Sequence, residues 1–458
     1  MNSDTTDTTA TTATTATFHI QGSTPLHGSV RVGGAKNAAY KLMIASLLAS
    51  SESRLLNLPD IADVDMVKKI INELGARAYS AGEHTLFIDP QNFRFSHVDG
   101  QYGKRSRASS LFLPVLLAKF GEAAVPLPGG DQIGKRPLER HLQGLEKMGV
   151  VFSQNGDMLE ARINTNQPKK RLKACHYTFE KNTHTGTETL IMAAALAEGK
   201  TLLENAALEP EIDDLIAFLN EMGAKIRRRS FRKIEIEGVD KLTGAIHRVM
   251  PDRNEAVSYA CAAIITRGDI VVENARHRDL TAFLEKLDEV GAGYEIGNYG
   301  IRFFYKGALQ ATDIETDIHP GFMTDWQPLF ATLLCHCHGE SIIHETVMQS
   351  RFQYVEHLRQ MGAKIEYFNP VVKNPEKVYN FNWSDNRPED FHAIKITGPV
   401  DFIGGEFTVH DLRAGATILL AAIAAKGKTV LRNIEQIERG YQDIEEKLVS
   451  MGANIERR

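Results

Sequence analysis

The apolar residues of this chain gather into six long runs: AAYKLMIASLLAS (38–50), ASSLFLPVLLAKF (108–120), TETLIMAAALAEG (187–199), AVSYACAAIITRG (256–268), WQPLFATLLCHCHG (326–339) and AGATILLAAIAAKG (414–427). Each is long enough for a helix and too uniformly apolar to leave one face in water, so each predicts a fully buried helix. In most copies a short β-rich stretch follows, as in TLLEN, DIVVEN, ESIIHE and TVLRN. A second helical pattern then closes on a Met/Leu/Val-Gly-Ala/Val triplet, with glycines at 75, 149, 223, 291, 362 and 452. A glycine there suits a left-handed C-terminal cap. After most triplets the pattern alternates, as in KIRRRSFRKIEIEG and GYEIGNYGIRFFY, which predicts paired strands.

Self-similarity at a period of about 70 residues means one mixed α/β unit used six times. The economical arrangement is two similar domains of three units, sheets outside and apolar helices within, divided by a linker near 248–254. One continuous solenoid is the alternative. The last interval is lengthened by an insertion around 367–392, read as a solvated loop. Residues 1–17 are almost wholly Thr, Ala, Asp and Ser with no apolar period, so they are expected to be a disordered tail.

What precedes each apolar run carries the chemistry, because a helix N-terminus offers free N–H groups to an anion. The lead-ins are Lys36-Asn37, Arg107, Thr183 with Thr185 and Gly186, Asp252-Arg253-Asn254-Glu255, Thr324-Asp325, and Asp411-Leu412-Arg413. If the helices run in parallel, their six N-termini can converge on the cleft between the domains. The Thr, Asn and Asp residues also read as ordinary caps. Lys36, Arg107 and Arg413 do not, since a cation at this end opposes the dipole unless an anion lies between. Pro126–Pro137, with Asp131, Lys135 and Arg136 among glycines, reads either as a lid over an anionic ligand or as a solvated turn.

Composition narrows the classes. A net charge of −5 argues against a nucleic-acid-coating protein, so anionic ligands need a local cationic pocket. The basic run 227–233 reads as a charged hairpin edge. Four cysteines make no disulfide framework, and no stretch reaches the roughly 20 apolar residues that span a bilayer, so a soluble cytoplasmic protein is expected. Cys335-His336-Cys337-His338 alternates faces and has no companion cluster, so no metal is expected.

The motifs GGAKNAA (33–39), SRAS (106–109), LPGGDQIGKRP (127–137), LEPEID (208–213), PDRNEA (251–256), HPGFMTDWQ (319–327), ETVMQSRF (345–352), HDLRAGA (410–416) and ERGYQDIEEKL (438–448) together resemble the UDP-N-acetylglucosamine 1-carboxyvinyltransferase family of enolpyruvyl transferases. The resemblance implies a two-domain inside-out α/β barrel of six repeats, three per domain. One domain would comprise 18–36 and 251–458, the other 37–250 with the catalytic loop 126–137. It implies transfer of the enolpyruvyl group of phosphoenolpyruvate to the 3-hydroxyl of UDP-N-acetylglucosamine, the first committed step of peptidoglycan synthesis. No cofactor, nucleic acid or membrane partner is implied; a monomer is expected, with other states open. Related alternatives are transfer to another nucleotide or to shikimate 3-phosphate, and a UDP-sugar-binding paralogue without turnover.

Carried over by position, the resemblance places Lys36, Asn37, Arg136 and Arg439 around phosphoenolpyruvate. Asp325 becomes the general base, Asp131 the loop proton donor, and Lys36 and Arg413 lie at the reacting centre. Arg107, Arg136, Pro137, Leu138, Glu139, Arg140, Thr183, Thr185, Asp325 and Val347 map to UDP-sugar contacts. Two departures stand out. Most members carry cysteine where this chain has Asp131, which implies insensitivity to the epoxide fosfomycin, and Glu139-Arg140 replaces the usual Asp-Leu, placing a cation beside the uridine pocket.

Overall fold

The computed structural model describes residues 16–103, 107–127, 138–164 and 171–458. The expected disordered tail lies outside them except for its last two residues. That boundary is corrected: Thr17 already begins the strand Thr17–Gln21 and pairs with Arg432.

Six sheets occur among the described residues, one for each unit. The buried helices are Lys36–Ser46, Leu113–Phe120, His184–Ala195, Arg253–Ile265, Gln327–Leu334 and Leu412–Ala424. Every residue of Arg253–Ile265 is buried, as its apolar run predicts. Two helices start later than expected: Leu113–Phe120 follows a 3-10 turn over Arg107–Phe112, and Gln327–Leu334 begins beyond Trp326. Each carries a proline in its first turn, where a missing N–H costs nothing, whereas the same proline deeper in a helix would break it. All six triplet glycines adopt positive φ, from 76° to 103°, as the capping argument requires.

In five of the six sheets the strand after the buried helix lies inside, with an antiparallel strand on one side and a short parallel strand on the other; the exception is Glu122–Pro126, at the edge of a three-stranded sheet. Asp269–Glu273, for instance, pairs antiparallel with Gly300–Phe304 and parallel with His27–Arg31. The exchange of strands between distant units is what closes the fold. Thr17–Gln21 inserts between Lys428–Arg432 and Asn454–Arg457 in the sixth sheet. Ile246–Arg248, at the end of the third unit, pairs with the strand of the first. The buried apolar residues accordingly form two clusters, one from Phe18–Val32 with Ala256–Ile455 and the other from Ala35–Met250. The basic run does lie on a hairpin edge, with Lys225–Ser230 outermost in its sheet.

The chain passes between the two cores twice, and the crossing segments are tied together. Ala35 N–H donates to the Met250 carbonyl at 2.7 Å and Asp252 N–H to that of Gly33 at 2.9 Å. Asp252 caps its own helix through the N–H groups of Asn254 and Glu255, while its other oxygen accepts from Lys36 N–H at 3.0 Å. One carboxylate thus fixes the starts of the first and fourth buried helices relative to each other.

The insertion corrects the sequence reading. Tyr379 and Phe381 are buried, and Tyr379, Phe381, Trp383 and His392 pack ring on ring, with Tyr379 and Trp383 stacked at 4.9 Å. A segment with four rings packed together has apolar surface to offset its ordering, which a solvated loop lacks.

Candidate active site

A cavity of about 320 Å³ is lined from both cores. It receives the lead-in residues Lys36, Asn37, Arg107, Thr183, Thr185, Asp325 and Arg413, together with Arg140, Val347 and Arg439. Five of the six buried runs therefore present their starts here. The fourth is the exception: Arg253, fully buried, makes a two-pronged pair with Glu211 of the other core at 3.0 and 2.9 Å instead of facing the cavity. Burial would raise the Glu211 carboxyl, but Arg253, with His184 behind it, holds it down at about 2.

Of the remaining predicted site residues, Leu138 and Glu139 are at the start of the helix Glu139–Lys147 and do not line the cavity. Asp131, Arg136 and Pro137 lie outside the described residues.

The expected local reversal of charge is present. Seven Lys or Arg side chains line the cavity against four Asp or Glu among the described residues, in a chain of net charge −5. Two clusters organise them. In the first, Asp63 accepts from Lys36 Nζ at 2.8 Å and from Arg439 Nε at 3.3 Å. In the second, Asp325 sits between Arg351 at 2.7 Å and Arg413 at 3.3 Å, and Arg413 also donates to the Tyr441 hydroxyl at 2.9 Å. Burial alone would raise the Asp325 carboxyl. Arg413 and Arg351, with Lys36 farther off, outweigh it and hold the group at about 2. The cations at the first and sixth helix starts are thus each matched by a carboxylate, which resolves their conflict with the dipole.

The rest of the wall is braced from behind. Thr183 caps its helix by accepting from Gly186 N–H at 3.2 Å, and Thr185 Oγ1 meets His141 Nε2 at 2.8 Å. Burial first and Arg107 second push the His141 imidazole down to about 3, so it stays neutral at physiological pH. Glu345 Oε1 accepts from Val347 and Met348 N–H, and Oε2 from Thr324 Oγ1, which pins the Val347 segment against the start of the fifth helix. At the floor, Lys41 pairs with Glu188 at 2.8 Å, with both side chains almost fully buried, and His184 Nε2 stands 3.1 Å from the same carboxylate.

Several of these residues escape a sequence reading. Asp63 belongs to an outer helix and nothing in its surroundings marks it. Arg351 lies inside ETVMQSRF but carries no local signal of its partner. Lys41 is different: a lysine within an otherwise apolar buried helix needs a buried counter-charge, and that anomaly points towards Glu188. Asn380, Phe381 and Asn382 of the insertion also line the cavity.

Comparison with known proteins agrees with this architecture. The model of the EPSP synthase (3-phosphoshikimate 1-carboxyvinyltransferase) family matches residues 20–448. The chain is 38% identical to the UDP-N-acetylglucosamine 1-carboxyvinyltransferase of Koribacter versatilis, covering 96% of each chain. It is 39% identical to that of Halothermothrix orenii, covering 96% of this chain and 98% of the relative. Among solved structures, the enolpyruvyl transferase NikO from Streptomyces tendae superposes with a TM-score of 0.82 at 23% identity, over 97% of this chain and 99% of that one. EPSP synthase from Acinetobacter baumannii gives 0.72 at 18%, over 97% and 100%. The fold is that of the enolpyruvyl transferases, the inside-out α/β barrel that the resemblance implies, built from the six repeated units. By its match to the family model and its identity to relatives across nearly the whole chain, this protein belongs to the EPSP synthase family, within the group of UDP-N-acetylglucosamine 1-carboxyvinyltransferases.

Proposed function

We propose that the chain transfers the enolpyruvyl group of phosphoenolpyruvate to the 3-hydroxyl of UDP-N-acetylglucosamine and releases phosphate, in the cytoplasm, as a step of peptidoglycan synthesis. The two cores, Phe18–Val32 with Ala256–Ile455 and Ala35–Met250, act as its two domains. The observation that carries this reading is Asp325 held between two arginines in the same cavity as Lys36, Asn37 and Arg439. A carboxylate near a hydroxyl, within reach of cations that bind a phosphate and a carboxylate, is what addition to an enol phosphate needs.

Lys36, Asn37, Arg439 and Arg136 bind the two anionic groups of phosphoenolpyruvate, in competition with Asp63 for the first and third. The acceptor lies along Arg107, Thr183, Thr185, Val347 and the Pro137–Arg140 segment. In the addition step the sugar oxygen bonds to C2, its proton passes to Asp325, and C3 gains a proton from Asp131. In the elimination step C3 returns a proton to the protein, the C2–C3 double bond re-forms and the C–O bond to phosphate breaks. The balance is one ether and one phosphate for one enol phosphate and one alcohol.

Asp325 held at about 2 is a weak base. An anionic substrate that draws Arg413 towards itself relaxes the foremost of the cationic holds on that carboxylate and makes it more basic when the hydroxyl arrives. Binding and base activation are then one event. The test is phosphate release with phosphoenolpyruvate and UDP-N-acetylglucosamine, beside shikimate 3-phosphate and an acceptor-free control. Release only with the UDP-sugar supports the reading, and release only with another acceptor overturns it.

A further inference from the structure

The inserted segment meets Arg140, one of the residues that depart from the family pattern. Arg140 donates to the Asn380 carbonyl and to Asn382 Oδ1, both at 2.9 Å. Lys181 Nζ donates to the carbonyls of Tyr379 at 2.8 Å and Phe381 at 2.7 Å. Asn380 Nδ2 returns a bond to the Asn182 carbonyl at 3.1 Å. All five bonds run between the two cores, and two cationic side chains consume the carbonyls of three successive residues, 379–381. Charge-assisted bonds of this kind are roughly twice as strong as neutral ones.

The place is as informative as the bonds. On one side the segment is tied to Asn182, next to Thr183. On the other, Asn380 N–H donates to the Thr346 carbonyl at 2.7 Å, next to Val347. Thr183 and Val347 are acceptor contacts in the proposed reaction, so the insertion bridges the two halves of the acceptor site. It is held stiff from its own side, where Tyr379 hydroxyl meets His344 Nε2 at 3.1 Å and Gln349 Nε2 donates to the Asp385 carbonyl and the Asp390 carboxylate. What it offers the cavity is an aromatic ring between two carboxamides, Asn380, Phe381 and Asn382. That is a surface for a flat, uncharged heterocycle, with amide donors and acceptors around an apolar face.

We propose that residues 379–382, gripped by Arg140 and Lys181, are a specificity element: a clasp that joins the two cores at the nucleotide end of the cleft and forms the wall against which the base of a nucleoside diphosphate acceptor rests. The proposal rests on the acceptor assignment above. A site already bridged binds its ligand without the cost of assembling the two walls, so the clasp acts on acceptor affinity and leaves the phosphoenolpyruvate end alone.

The test uses the full chain with UDP as the probe. UDP binding is measured by calorimetry for wild type, Lys181→Met, Asn382→Ala, the double variant and Lys181→Arg, with melting temperature and steady-state kinetics alongside. UDP affinity is expected to fall about tenfold in Lys181→Met and further in the double variant, and to recover largely in Lys181→Arg. The acceptor KM should rise in step, with the phosphoenolpyruvate KM within about twofold of wild type. Wild type that fails to bind UDP, equal UDP affinity in wild type and the double variant, or an equal loss at the phosphoenolpyruvate end would each overturn the clasp. UDP binding that depends on Lys181 in a protein that releases no phosphate with the UDP-sugar would keep the clasp and sink the transfer reaction instead.

Discussion

Arg413 Nη2 stands 3.3 Å from Asp325 Oδ2, although the two residues begin different buried helices and lie 88 positions apart. The pair places a cation suited to substrate and a base suited to its hydroxyl in one contact, and their separation on binding is the step that the proposed chemistry requires.

Asp325→Asn should therefore lower kcat by about 10²–10⁴, the usual contribution of a positioned general base, while the phosphoenolpyruvate KM changes far less. Steady-state phosphate release checks this. A variant retaining more than half the wild-type kcat would remove Asp325 from the base role.

Acid should act on the fold through Glu211 and Asp325. Both carboxyls are held at about 2, below their unfolded values near 4. Each therefore adds stability that is full above pH 4 and disappears as the pH falls from about 4 to about 2. Urea midpoints should drop across that window. Glu211→Gln should flatten the drop and, at neutral pH, cost about 3–5 kcal/mol, since it leaves Arg253 buried without its counter-charge. Unchanged midpoints in this variant would show the pair to be energetically idle.

Gly34→Ala should be among the most damaging single substitutions in the chain. A Cβ at Gly34 would lie 1.8 Å from the carbonyl oxygen of Asn57, a backbone atom in the tight crossing between cores. The cost of overpacking is about 1–3 kcal/mol or more, and it should appear as a lower melting temperature with loss of activity. A Gly34→Ala protein as stable as wild type would mean that the crossing is looser than its hydrogen bonds indicate.

With Asp131 as the proposed loop acid, fosfomycin meets no thiol at that position, so prolonged incubation with the drug should not reduce activity. Because a carboxylic acid titrates well below a thiol, the alkaline limb of the pH–rate profile should also fall below about pH 8.5. Time-dependent inactivation, or an acid form that persists above pH 9, would contradict the assignment.

The six units, their buried helices and their capping glycines are legible in the sequence because each depends on neighbours a few residues away. Apolar runs bury themselves, and a glycine ends a helix wherever it occurs. Three of the seven cavity-lining cations among the described residues, Lys36, Arg107 and Arg413, are legible for the same reason, as residues out of place at a helix start. What only the tertiary structure decides is which charges meet. Asp63 finds Arg439 across 376 positions, Arg140 finds Asn380 across 240 and Lys181 finds Tyr379 across 198. The exclusion of Arg253 from the cavity depends likewise on Glu211, in the other core. The insertion illustrates the limit: its polar and Pro-containing sequence reads as a solvated loop, and its aromatic residues have no periodicity to show that they stack. Periodicity records how one element buries itself, whereas pairing across a cleft depends on two elements brought together by the whole fold, and neither carries a local trace of the other.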